Sequence, residues 1–246
     1  MKTLYIAALA ALATGLIAST AYADSIVYYG PVALSGNGFG SDPRDLTVQA
    51  HGGGSMSEQG CIAPDGSGGL VEGSSACAAA DGLSGGNEAP PLGFPKQAAP
   101  TLSSLGITSA DEIGILFDAV QPQNSNSNVV TIDDLTLKLY NGATLVYSVS
   151  GTFSPLATNP GNGTSDYLFT LDAAAQASIN ALLISNIDYS MALDSQISFP
   201  NGGSGPDSYA IVMVTPEPSS LLLLGTGIVV VAGLLHRRQR SGGNVD

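Results

Sequence analysis

The sequence predicts a mainly β protein: an antiparallel β-sandwich, jelly-roll-like, with one inserted helix, an N-terminal signal peptide and a C-terminal single transmembrane helix. Three observations lead there. Short runs of alternating or β-branched residues recur along residues 24–215, separated by Gly, Asn, Asp and Pro. Two of these runs flank Asn141-Gly142, the strongest short-range hairpin signal, because both residues tolerate the positive φ of a type I′ turn. One segment alone, AAAQASINALLI, combines strong helix formers with a preceding N-cap residue, Asp172. An α+β arrangement is the competing architecture.

The first 23 residues have the three parts of an export signal. Lys2 is the cationic start, Leu4 to Ile17 the apolar stretch, and Ala21-Tyr22-Ala23 the small-residue site, so cleavage falls between Ala23 and Asp24. The exported region is then residues 24–215, long enough for one domain with its own core. Its strand candidates are Ser25–Tyr29, Leu46–Ala50, Glu112–Phe117, Val129–Ile132, Asp134–Tyr140, Ala143–Ser150, Tyr167–Thr170, Tyr189–Leu193 and Tyr209–Val214. In DLTLKLY, Leu135, Leu137 and Leu139 share one face. The helix runs from Asp172 to Ile184. Residues 51–98 are rich in Gly, Ser and Ala without periodicity and predict a long surface loop, since glycine loses the most backbone entropy on ordering.

At the far end, Leu221 to Leu235 is an uncharged apolar run, and the predicted membrane helix covers residues 219–235. Counted from Pro218 the run is roughly 27 Å of helix against a hydrocarbon core of about 30 Å, so it spans with nothing to spare. Arg237, Arg238 and Arg240 follow directly and hold that end on the cytoplasmic side. Pro216 and Pro218 stop the helix from extending backwards and keep Glu217 extended.

This order of parts, Pro216-Glu217-Pro218, then the apolar run, then the Arg cluster, resembles the PEP-CTERM sorting signal. The resemblance covers residues 216–240. It implies an exosortase-type membrane protease as partner, cutting near Pro216-Glu217-Pro218. It also implies a precursor anchored in the inner membrane and then delivered to the cell surface or beyond it, into an exopolysaccharide-rich exterior.

The chain has 20 acidic and 7 basic residues. Between residues 24 and 215 only Arg44, Lys96 and Lys138 are basic against eighteen acids, a formal charge of −15. Such a surface repels nucleic acid, whose binding rests on phosphate neutralisation. Cys61 and Cys77 are the only cysteines, and in an oxidising exterior they predict a disulfide that restrains the unfolded loop by about 3 kcal/mol.

Catalytic signals are poor. Gly82-Leu83-Ser84-Gly85-Gly86 fits G-x-S-x-G but lacks the strand before it and the helix after it, and His51 precedes the serine instead of following it. Asp133-Asp134 and the loop Asn159 to Asp166 offer hard oxygen donors suited to calcium, without EF-hand spacing. No metal site and no cofactor are predicted. Trp, the best sugar-stacking side chain, is absent. The expectation is a non-catalytic surface or matrix protein, associated with exopolysaccharide or biofilm. A secreted carboxylate-dependent polysaccharide hydrolase and a protein-binding adhesive module are the alternatives.

Overall fold

The computed structural model describes residues 23–32, 44–48, 57–65, 67–73, 77, 99–119, 129–157, 166–200 and 207–215. The chain divides into two compact units, Met1–Met213 and Val214–Asp246. Among its described residues, the first unit contains ten strands in two antiparallel five-stranded sheets, and one α-helix. The architecture is mainly β and consistent with the predicted sandwich.

The strands are β1 Ile26–Val32, β2 Leu46–Val48, β3 Ser57–Pro64, β4 Leu70–Glu72, β5 Ile113–Asp118, β6 Val129–Asn141, β7 Thr144–Ala157, β8 Asp166–Leu171, β9 Ser190–Ser198 and β10 Asp207–Met213. The first sheet has the order β1-β8-β5-β10-β2 and the second β4-β3-β9-β6-β7. The pairing is nested. β6 pairs with β7, β5 with β8, β3 with β9 and β2 with β10, so each ladder joins segments farther apart around the β6–β7 turn. Lateral pairings of β6 with β9 and β5 with β10 complete the sheets.

The innermost hairpin corrects one expectation. Asn141 pairs with Thr144, so the two-residue loop is Gly142-Ala143, not Asn141-Gly142. Gly142 has φ 60, and among the described non-glycine residues only Asn186 has a positive φ. Glycine at the first central position alone is the pattern of a type II′ turn. One positive φ suffices to close the strands, so Asn141 stays in the ladder. The two strands predicted on either side of Asp133 are one strand, β6, continued through a register shift between Ile132 and Asp134.

Part of the segment predicted as a loop, residues 51–98, forms strands. β3 and β4 lie inside it, and β3 is an interior strand of the second sheet. SEQGCIAP lacks strong β propensity, and its order comes from pairing on both edges and from burial of Cys61, Ile62 and Ala63.

The two sheets share one apolar core. Ile115, Phe117, Phe169 and Tyr209 face it from the first sheet, and Leu135, Leu137, Leu139 and Leu193 from the second. Phe117 stacks on Tyr209 with ring centroids 4.6 Å apart. The helix α1, Ala173–Leu183, follows β8 and buries Ala175 and Ile179. Its start is fixed as the sequence predicts, with Asp172 accepting a hydrogen bond from the Ala175 amide at 2.8 Å. Asn180 on its flank accepts from the Ala110 amide at 2.8 Å, tying the helix to the turn that leads into β5.

Where β1 of the first sheet meets β7 of the second, the approach is close. A Cβ on Gly151 would lie 2.8 Å from Phe153 Cζ and 2.9 Å from the Ile26 carbonyl oxygen. The backbone oxygen cannot swing aside, so this corner requires glycine. Gly151→Ala is therefore expected to destabilise the protein by about 1–3 kcal/mol, the usual cost of overpacking. A shift of the denaturant midpoint measures it, and an unchanged midpoint would contradict the close approach.

Candidate functional site

One end of the first sheet gathers carboxyl groups. Val32, Asp166, Asp118, Ser208 and Thr47 form a single row across β1, β8, β5, β10 and β2. Their neighbours Phe117, Tyr167 and Tyr209 point into the core, so by strand alternation this row faces the other way. That face is nevertheless covered: Asp118 is 3% exposed and Asp166 2%. The two acids sit directly opposite on adjacent strands and hydrogen-bond to each other. Two such carboxyls cannot both ionise cheaply, and they share a proton. Burial first, then the Asp166 charge and hydrogen bond, push Asp118 up to about 7 against the partial relief of Arg44.

Arg44 is the cation of this end. Its Nη1 donates to Ser208 Oγ at 3.4 Å, and its guanidinium interacts with Glu72 and Asp118. Glu72 Oε1 accepts from the Thr47 amide at 2.6 Å. Asp45 Oδ2 accepts from the Ile211 amide at 2.5 Å, yet burial still raises Asp45 to about 7. On the core side, burial raises Glu58 to about 8, offset in part by the Asp207 amide that donates to it. Nearby, Ser195 Oγ bridges the Asp134 carbonyl at 2.9 Å and the Tyr209 hydroxyl at 2.8 Å.

The residues singled out in the sequence fall in several places. Asp133 is exposed, and the Asp134 carboxylate accepts from Thr136 Oγ1 at 3.1 Å, so this pair is not drawn into the acidic end. Asp166, last residue of the loop weighed for calcium, becomes the partner of Asp118; the rest of that loop lies outside the described residues. Among the described residues no group of three or more His, Cys, Asp or Glu side chains could hold a metal ion. Cys61 and Cys77 are joined as a disulfide, with Cα atoms 6.0 Å apart. Ala23 is exposed, while Asp24 Oδ2 accepts from the Tyr147 hydroxyl at 2.8 Å.

Pro216, Glu217, Pro218, Arg237, Arg238, Arg240, His51 and the G-x-S-x-G serine lie outside the described residues, as does the predicted span 219–235. Among those described, no helix is long and apolar enough to cross a membrane. Sequence reasoning missed Asp45, Glu58 and Asp118. The available signal was Asp118 closing the apolar run Ile113–Phe117, an acid inside a strand instead of beyond it.

The fold and this acidic end define a mainly β protein with several buried carboxyl groups among its described residues, and a separate C-terminal unit. In that C-terminal unit, residues 214–240 match the family model of the PEP-CTERM protein-sorting motif. The chain therefore carries a PEP-CTERM protein-sorting motif, which supports an exported protein sorted by way of exosortase. No curated protein matches it.

The pKa directions fix a pH dependence. Asp45, Glu58 and Asp118 have folded values of about 7, 8 and 7, above their ordinary values of 3.8, 4.5 and 3.8. A raised acid favours the folded state while protonated, so this stability is full below about pH 4 and is lost as pH rises through 7 to 8. The exposed Asp65 and Glu112 run the other way, held low by hydrogen bonds from Ser67 and Thr108, and their effect is confined to the acid limit. Stability is therefore expected to decline between about pH 5 and pH 8. Asp118→Asn, which keeps a hydrogen-bonding group without the charge, is expected to flatten that decline by up to about 1.4 kcal/mol per pH unit. Denaturant titrations across this range measure it, and stability rising with pH would contradict it.

Proposed function

We propose that this chain is a non-catalytic component of the cell surface or extracellular matrix, associated there with exopolysaccharide or with other envelope proteins. The observation that carries the reading is the PEP-CTERM sorting motif at residues 214–240. In this reading the signal peptide is removed between Ala23 and Asp24. The helix 219–235 then anchors the precursor in the inner membrane until an exosortase-type protease cuts near Pro216-Glu217-Pro218. The nested strand order, with β2-β10-β5-β8 facing β3-β9-β6-β7, supports a jelly-roll for the exported domain, an architecture often used for binding. The Cys61–Cys77 disulfide suits an oxidising exterior.

A hydrolase reading has one observation in its favour, the proton-sharing pair Asp118 and Asp166, since paired carboxyls perform glycoside hydrolysis. Their near-complete burial weighs against it, because a reacting sugar oxygen must come within hydrogen-bond reach of the acid.

Two measurements on protein recovered from its own host test the proposal. C-terminal peptide mapping is expected to find the residues beyond about Ser220 missing, and a surface or secreted form ending at Asp246 would contradict sorting by cleavage. Incubation with the host's polysaccharide, with and without calcium, is expected to give retention without new reducing ends. Reducing ends that appear with the wild type and vanish with Asp118→Asn would replace the matrix reading with the hydrolase.

A further inference from the structure

Lys138 is one of only three basic residues between positions 24 and 215, and it is not at the surface. It lies in β6 between Leu137 and Leu139, which point into the core, so its own side chain leaves the opposite face of the second sheet. Asp194 in β9 lies on that same face. β6 and β9 pair with Thr136 opposite Asp194 and Lys138 opposite Ala192, which makes Lys138 and Asp194 diagonal neighbours on adjacent strands.

Lys138 Nζ and Asp194 Oδ2 are in direct contact, with side chains 7% and 3% exposed. On this face Thr136 stands opposite Asp194 and Ser148 opposite Lys138. Cys61 of β3 stands opposite Asp194, and Cys61, Ala63 and Cys77 form a buried cluster of their own. The low exposure of both side chains keeps most water from an amine and a carboxyl group held against each other.

We propose that Lys138 and Asp194 are joined by an intramolecular amide bond, a covalent cross-link between β6 and β9. In this step a proton passes from the Lys138 ammonium to the contacting Asp194 carboxylate. The neutral amine Nζ then attacks Asp194 Cγ of the carboxylic acid. A C–N bond forms, a C–O bond breaks, and the hydroxyl leaves as water with a second proton from the nitrogen. Of the three ammonium hydrogens one remains on the amide and two depart with the oxygen, so charge and atoms balance and no oxidant or co-reactant is needed. Contact in a fixed geometry supplies the effective concentration that the same condensation lacks in bulk water. The product replaces a costly buried ion pair with a neutral amide. It also ties together strands 56 positions apart in sequence.

The test is a mass measurement on the full-length or host-processed wild-type protein, reduced, denatured and digested with trypsin. A cross-linked Lys138 is not cut, so residues before and after it are expected in one fragment lighter than its sequence by one water. Lys138→Arg preserves the charge but not the primary amine; that variant is expected to be cut at position 138 and to show no deficit. Cleavage after Lys138 in the wild type at full mass would overturn the proposal and leave an ordinary buried ion pair. A deficit that persists in Lys138→Arg would overturn it as well. If that variant fails to fold, the wild-type fragment alone decides.

Discussion

Everything in the exported domain is hung on the register of the β6–β7 hairpin. With the turn at Gly142-Ala143, Leu135, Leu137 and Leu139 lie on the core face, and a one-residue slip would exchange them for Thr136 and Lys138. β9 then adds to β6 with Met191, Leu193 and Ile197 on the same side. The outer ladders, β5 with β8, β3 with β9 and β2 with β10, repeat the logic at increasing loop length. The long-range pairs are entropically the most demanding, and they close onto a sheet whose central register is already fixed.

A second constraint shapes where charge can go. The domain has many acids and few cations, so its buried carboxyls cannot all find a basic partner. The fold answers in different ways at different places. At the end of the first sheet, Asp118 and Asp166 share a proton beside Arg44. At the core margin, Glu58 and Asp45 are held by backbone amides while burial raises their values to about 8 and about 7. On the far face of the second sheet, Asp194 takes the buried lysine. Each arrangement neutralises a carboxylate without exposing it, which suits a domain stable at mildly acidic pH and vulnerable to alkali.

The parts of this structure that were legible in the sequence are those where local chemistry decides. Asp172 caps α1 because the helix formers after it leave orphan amides for its carboxylate. The leucines of DLTLKLY fall on one face because strand periodicity allows nothing else. The PEP-CTERM tail was legible because its three parts act in linear order. What stayed hidden depends on pairing. β3 is a strand only because β4 and β9 flank it, and its glycine-containing sequence gives no such hint. Asp118 and Asp166 are far apart in sequence, and nothing in either neighbourhood announces that the register sets them face to face. Lys138 has the sequence context of a solvated position on an amphipathic strand, and only the covering of the far face buries it.

The central claim is that the β6–β7 register, extended by β9, is the most stable part of the domain, with the remaining ladders built outward from it. Native-state hydrogen exchange tests this most directly. The amides of β6 and β9 are expected to exchange only through global unfolding, whereas the edge strands β1 and β4 open at lower free energy. Protection in β1 or β4 equal to that of β6, or exchange of β6 through a smaller opening than theirs, would contradict the account.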